Sequence, residues 1–141
     1  MSQPERPARD EYAEWYHKYI ERDPEDDIRA ILRVQLADTI ALLRPLSEQQ
    51  GNHRYGAEKW SIKQVIGHLI DSAANNHQRF VRAQLDQPLA FPKYDQNDWV
   101  RCQHYDDVPW SELLEFWRRY NHHLAHVVRH IPPASLDVKC T

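Results

Sequence analysis

The sequence predicts an all-α fold, an up-and-down bundle of amphipathic helices, and three observations carry that expectation. Apolar residues recur at three- and four-residue spacing through three long stretches. No stretch of useful length alternates apolar and polar residues as a half-buried strand does. Helix-start and helix-stop chemistry brackets each periodic stretch. Antiparallel packing of three long helices with one short one is the economical way to bury such stripes. At 141 residues the chain can bury one core but not two, so residues 1–141 read as a single domain.

Residues 1–8 hold two prolines and are expected to fray. From about Arg9 to Glu21, the side chains of Tyr12, Trp15, Tyr16 and Tyr19 fall at i, i+3, i+4 and i+7, an aromatic stripe expected to cap the core. Asp23-Pro24-Glu25-Asp26 reads as a helix start: Asp23 as N-cap, Pro24 at the first helical position, acids in the first turn. Ile28, Leu32, Leu36, Ile40 and Leu43 give that helix its buried face, broadened by Ile31 and Leu42, and Pro45 ends it near Arg44. A loop over 46–59 follows. Ser61 and Gln64 then form a capping box that opens the cleanest helix of the chain, running to about Asp86. Its apolar face is expected to hold Ile62, Val65, Ile66, Leu69, Ile70, Ala73, Phe80 and Val81, centred on Leu69, with Lys63 on the polar side.

Residues 87–108 read as a long irregular segment. Connections of that length in a small domain tend to be functional or disordered, and the aromatic and acidic content here favours an ordered lid. Asp107 and Pro109 start the last helix, which places Trp110, Leu113, Leu114, Trp117, Leu124, Val128 and Ile131 on one face until Pro132-Pro133 stop it. Residues 132–141 form a C-terminal extension.

Composition excludes several function classes. The formal charge is −3 with basic residues scattered among acids, and no basic stripe appears, which argues against a nucleic-acid partner. No run of 18 apolar residues and no apolar core in residues 1–11 occur, so neither a membrane span nor a secretory leader is expected. Cys102 and Cys140 lack CxxC spacing and fit a reducing cytoplasm. Three glycines and no GxGxxG or GxxxxGK[ST] argue against a phosphate-cradling loop. Nine histidines are the one compositional hint of chemistry.

On the helix opened by Ser61, His68 shares a polar stripe with Ser72, Asn75 and Arg79, about 120–150° round the cylinder from the apolar face. That stripe is either solvated surface or the wall of a site. His122, His126 and His130 repeat at i, i+4 and i+8 beside His123, a spacing that can clasp a metal. They project opposite the Trp110–Leu113–Trp117 face, so a solvated surface is the expected reading. Asn121 falls within the apolar face, where a buried amide is either a register-holding group or part of a site. No Cys₂His₂, HExxH or two-His-one-carboxylate set surrounds His68, and Ser72, His68 and Asp71 lack the strained elbow a catalytic triad needs.

Lys59-Trp60-Ser61-Ile62-Lys63-Gln64-Val65-Ile66-Gly67-His68-Leu69-Ile70-Asp71 resembles the signature segment of the DinB-like, or YfiT-like, metal-dependent hydrolase family. The likeness continues through Asn75-Asn76-His77-Gln78-Arg79-Phe80, Tyr94-Asp95-Gln96 with Trp99-Val100, and Tyr120-Asn121-His122-His123-Leu124. It implies a four-helix bundle, often a homodimer, holding a divalent metal (zinc or nickel) on three histidines, with hydrolases and thiol-dependent S-transferases among its members. His68 matches the first ligand. The other two belong to a final helix after the double-proline turn, and that helix is missing from the chain as given, so only His68 transfers.

The function expected from this resemblance is a metal-dependent enzyme of hydrolase or thiol-transferase type acting on a small molecule, with a low-molecular-weight thiol as a candidate partner. His68 would be a metal ligand. Asp71, Asn75, Tyr94, Asp95 and Asn121 would stand behind the ligand or on the substrate side, with Tyr94–Trp99 closing over the substrate. The competing expectation is a metal-free bundle that acts through an interface and catalyses nothing.

Overall fold

Three long helices, α2 (Ile28–Leu43), α4 (Ile62–Arg82) and α6 (Trp110–Arg129), carry the fold in a computed structural model that describes residues 6–22, 27–85, 89–136 and 138. Of three short helices, α1 (His17–Ile20) lies in the N-terminal segment, and α3 (Glu48–Gly51) and α5 (Gln96–Gln103) fill the connections. Among the described residues no strand forms beyond an isolated bridge residue, Leu89. Helix α6 is the axis: it packs on both α2 and α4, which share no comparable contact with each other. Leu36 of α2, Ile66 and Ile70 of α4, Val100 of α5 and Trp110, Leu113 and Trp117 of α6 meet in one core. The all-α bundle expected from sequence is therefore the observed one.

The capping box opens α4 as expected, with Ser61 Oγ accepting from Gln64 N and Gln64 Oε1 accepting from Ser61 N. The same motif, Ser47 with Gln50, makes α3 inside the 46–59 stretch read as a loop. Helix α2 starts at Ile28 with Asp27 as its N-cap, its carboxylate accepting from Arg29 N. The expected start at Asp23-Pro24-Glu25-Asp26 lies outside the described residues. Of the segment read as irregular over 87–108, the described part from 89 onward is more helical than its composition suggests. Asp95 caps α5 by accepting from Asn97 N and Asp98 N, and a 3₁₀ turn, Tyr105–Asp107, follows a left-handed His104 at φ 51°.

Two expectations about burial fail. The aromatic stripe does not cap the core: Trp15, Tyr16 and Tyr19 lie on a 3₁₀ turn, Glu14–Tyr16, running into α1, and all three rings are at least half exposed. They pack on one another, with Lys18 Nζ 4.5 Å from the Trp15 ring centre. The buried face of α4 is also rotated from the amphipathic reading. Leu69 is 39% exposed and Val65 42%, whereas Lys63 is 1% exposed. Glu48 is the reason: its carboxylate takes the Lys63 ammonium and also accepts from Trp110 N, while Lys63 Nζ donates to Asp106 O at 3.0 Å. A charge otherwise too costly to bury is thereby paired and hydrogen-bonded.

Candidate functional site

The signature helix places its polar residues on two sides. His68 stands at the boundary, its ring 5.1 Å from that of Trp60. Its Nδ1 is buried and has no hydrogen-bond partner, which leaves Nε2 as the nitrogen an incoming group could reach. One turn on, Asp71 is 3% exposed. Its Oδ1 accepts from Tyr105 Oη and from Gln103 Nε2, both at 2.6 Å, while its Oδ2 is buried without a partner. Burial first, then the Asp71 carboxylate, pushes the Tyr105 phenol far above the usual tyrosine range.

Gly67 makes this arrangement possible. A Cβ at Gly67 would sit 2.1 Å from the Tyr105 ring, so only glycine lets Tyr105 lie flat on α4 and reach Asp71. Sequence reasoning did not assign Tyr105, Gln103 or Gly67 to the site. The available signal was the glycine: inside a helical pattern it costs about 1 kcal/mol against alanine and marks a close approach.

The 89–103 segment covers the same side of α4. The Phe91 ring lies 5.1 Å from the Arg79 guanidinium, and Tyr94 packs on Trp99 at 4.5 Å. The Tyr94 phenol is raised by burial and by Asp71, with Arg79 opposing, so it stands in the fields of both. Asn75 is buried and donates its amide to Asp71 O at 2.9 Å. Asp95 spends both its contacts on the α5 cap.

The other side of α4 faces a groove of about 440 Å³ bounded by α2, α4 and α6. Leu69, Ser72 and Asn76 line it from α4, Gln35 and Thr39 from α2, and Asn121 from α6. Asn121 donates to Trp117 O at 2.9 Å, an intrahelical bond one turn back. The expected residues thus separate: Asp71 and Asn75 lie under the 89–103 segment, which itself carries Tyr94 and Asp95, Asn121 lies across the groove, and His68 stands between.

The described residues do not make a metal centre. No group of three or more His, Cys, Asp or Glu among them could hold an ion, and His68 offers one imidazole. Its Nδ1 lacks the carbonyl or carboxylate partner that ligating histidines almost always have. The His126 and His130 rings lie tilted against each other at 4.3 Å, both exposed at the C-terminal end of α6, with His130 Nδ1 donating to His126 O at 2.7 Å, so this end of the histidine row is a surface feature.

A curated protein of Oceanobacillus iheyensis, named "Putative metal-dependent hydrolase OB0413", is 31% identical over 55 residues, 39% of this chain. That match spans 32% of the relative, so the chain aligns with about a third of its length. A solved structure of YfiT from Bacillus subtilis, described as a probable metal-dependent hydrolase with an unusual four-helix bundle topology, superposes with a TM-score of 0.67 at 18% identity. The superposition covers 93% of this chain and 70% of that one. The sequence model of the DinB superfamily matches residues 31–141, and the chain belongs to that superfamily.

Proposed function

We propose that this chain serves a metal-dependent hydrolase acting on a small molecule, with His68 as its own contribution to the metal. The remaining ligands would come from a second copy of the chain. What supports the reading is the superfamily match over residues 31–141 together with the place of His68, a half-buried imidazole on α4 between the buried Asp71 and the groove-lining Ser72. The names of the O. iheyensis and B. subtilis relatives support the reaction class.

In this reading each neighbour has a task that its contacts suggest. Tyr105 and Gln103 hold Asp71, which ties the lid segment to the turn of α4 carrying His68. Tyr94 and Trp99 wall the site from water on one side. Ser72, Asn76 and Asn121 offer polar contacts to substrate along the groove. A thiol-dependent transfer would use the same walls and differ only in the acceptor.

Titration of the tag-free chain with zinc and with nickel, followed through the histidine ring resonances, tests the proposal. The His68 ring is expected to respond, and His68→Ala to remove that response. A response confined to His126 and His130, unchanged in His68→Ala, would sink it.

A further inference from the structure

Toward the C-terminal ends of α4 and α6, these helices, the first turns of α2 and the 3₁₀ turn Pro133–Ser135 surround a cavity of about 300 Å³. Ile28, Leu32, Phe80, Leu124, Val128 and Leu136 make its walls. Its polar lining is Asn76 and two arginines, Arg29 and Arg129, and both arginines also line the neighbouring groove with Arg33, His122 and His126. The one carboxylate in that groove, Asp27, is already held by Arg29 through two bonds of 2.7 and 3.0 Å. Arg33 and Arg129 make no ion pair within contact distance among the described residues, although the Arg33 charge also acts on Asp27 from across the groove. His130, burial, Arg129 and His123 together hold His126 below the usual histidine range, as a local excess of positive charge would. This concentration occurs on a chain whose net charge is −3.

An apolar chamber opening beside unpaired guanidinium groups matches one chemistry. We propose that the cavity takes the apolar tail of a small amphiphilic acid, such as a medium-chain carboxylate, with the anionic head at Arg129 and Arg33. A 150 Å³ apolar cavity accepts benzene, so this one has room for about ten carbon atoms. Neutral apolar molecules would use the walls but not the arginines. An amphipathic helix is the rival occupant, and it would lie along the adjoining groove at Leu69, Ser72 and Asn121 instead. Leu32, Asn76 and Leu124 line both this chamber and the groove, but Phe80 lies twelve residues beyond His68 on α4, about 18 Å along the helix, so the chamber's far wall is remote from His68.

The test is calorimetric titration with hexanoate, octanoate, decanoate and octanol below their micellar concentrations. Affinity is expected to rise about fourfold per added methylene until the cavity is full. Arg129→Gln should weaken octanoate at least fivefold and leave octanol unchanged. Val128→Trp should fill the chamber and abolish both, and His68→Ala should alter neither. Backbone amide shifts in the unmutated chain give a readout independent of any variant's folding: octanoate should move Phe80, Val128 and Leu136. Affinity that ignores chain length, octanol binding as tightly as octanoate, or shifts confined to Leu69, Ser72 and Asn121 would each overturn the proposal.

Discussion

Lys63→Ala should be more damaging than Leu69→Ala, the reverse of what amphipathic periodicity implies. The Lys63 side chain is 1% exposed, and alanine removes three stem methylenes from the core. At about 0.8 kcal/mol per methylene this is roughly 2.4 kcal/mol. A residual void adds to it, giving a total of about 3 kcal/mol. The lost ammonium adds less than a buried charge usually would, because the Glu48 side chain is 57% exposed and can turn to water while still accepting from Trp110 N. Lys63→Met keeps most of the stem and should cost about 1 kcal/mol, because the carboxylate it leaves behind, Glu48, is exposed enough to be hydrated and not a stranded buried charge. Leu69, 39% exposed at the groove edge, should cost about 1 kcal/mol on truncation, below the range for fully buried leucines. Urea unfolding of the three variants with a common m-value measures the differences directly. A Leu69→Ala loss exceeding that of Lys63→Ala, or Lys63→Met as damaging as Lys63→Ala, would refute the reasoning.

Other consequences follow from single contacts. Ser61→Ala should cost about 1 kcal/mol as a lost cap. Ser61→Asp, usually an acceptable cap, should cost more than alanine in the same melt, because Ser61 is fully buried with Oγ donating to Asp106 Oδ1 at 2.5 Å and a second carboxylate would face the first. Gly67→Ala should destabilise by about 3 kcal/mol or more through overpacking against the Tyr105 ring, and Gly67→Ala with Tyr105→Ser should recover part of that loss in thermal melts. The Tyr105 phenol is raised in the folded chain, so its contribution is complete below the unfolded value of about 10 and is lost as pH rises above it. Absorbance titration near 295 nm should show one tyrosine that ionises only on alkaline unfolding, and Tyr105→Phe should remove that step.

Local physics was legible in the sequence wherever one turn of helix decides the outcome. The Ser61–Gln64 capping box, Pro109 ahead of α6 and the double proline after it give helix limits close to those observed, because caps and proline act within four residues. The same rule applied to Ser47 and Gln50 would have found α3. The His68 motif also placed the chain in its superfamily before any fold was known.

What the sequence could not supply was the direction each helix face would look. Periodicity groups residues on a face, but a neighbour decides which face is buried. Glu48, fifteen positions away, turns Lys63 inward, and Gly67 admits Tyr105 from thirty-eight positions further on. Asp71, singled out through the resemblance, likewise leaves water only because Tyr105 and Gln103 come over it from outside α4. The N-terminal aromatics show the converse: Trp15, Tyr16 and Tyr19 fall on a regular stripe yet stay at least half exposed, packed on one another and not in the core. Spacing along the chain fixed which groups were available. Only the packing of α4 on α6, with α3 and the 3₁₀ turn at its ends, decided which of them would leave water, because desolvation is settled between elements and not within one.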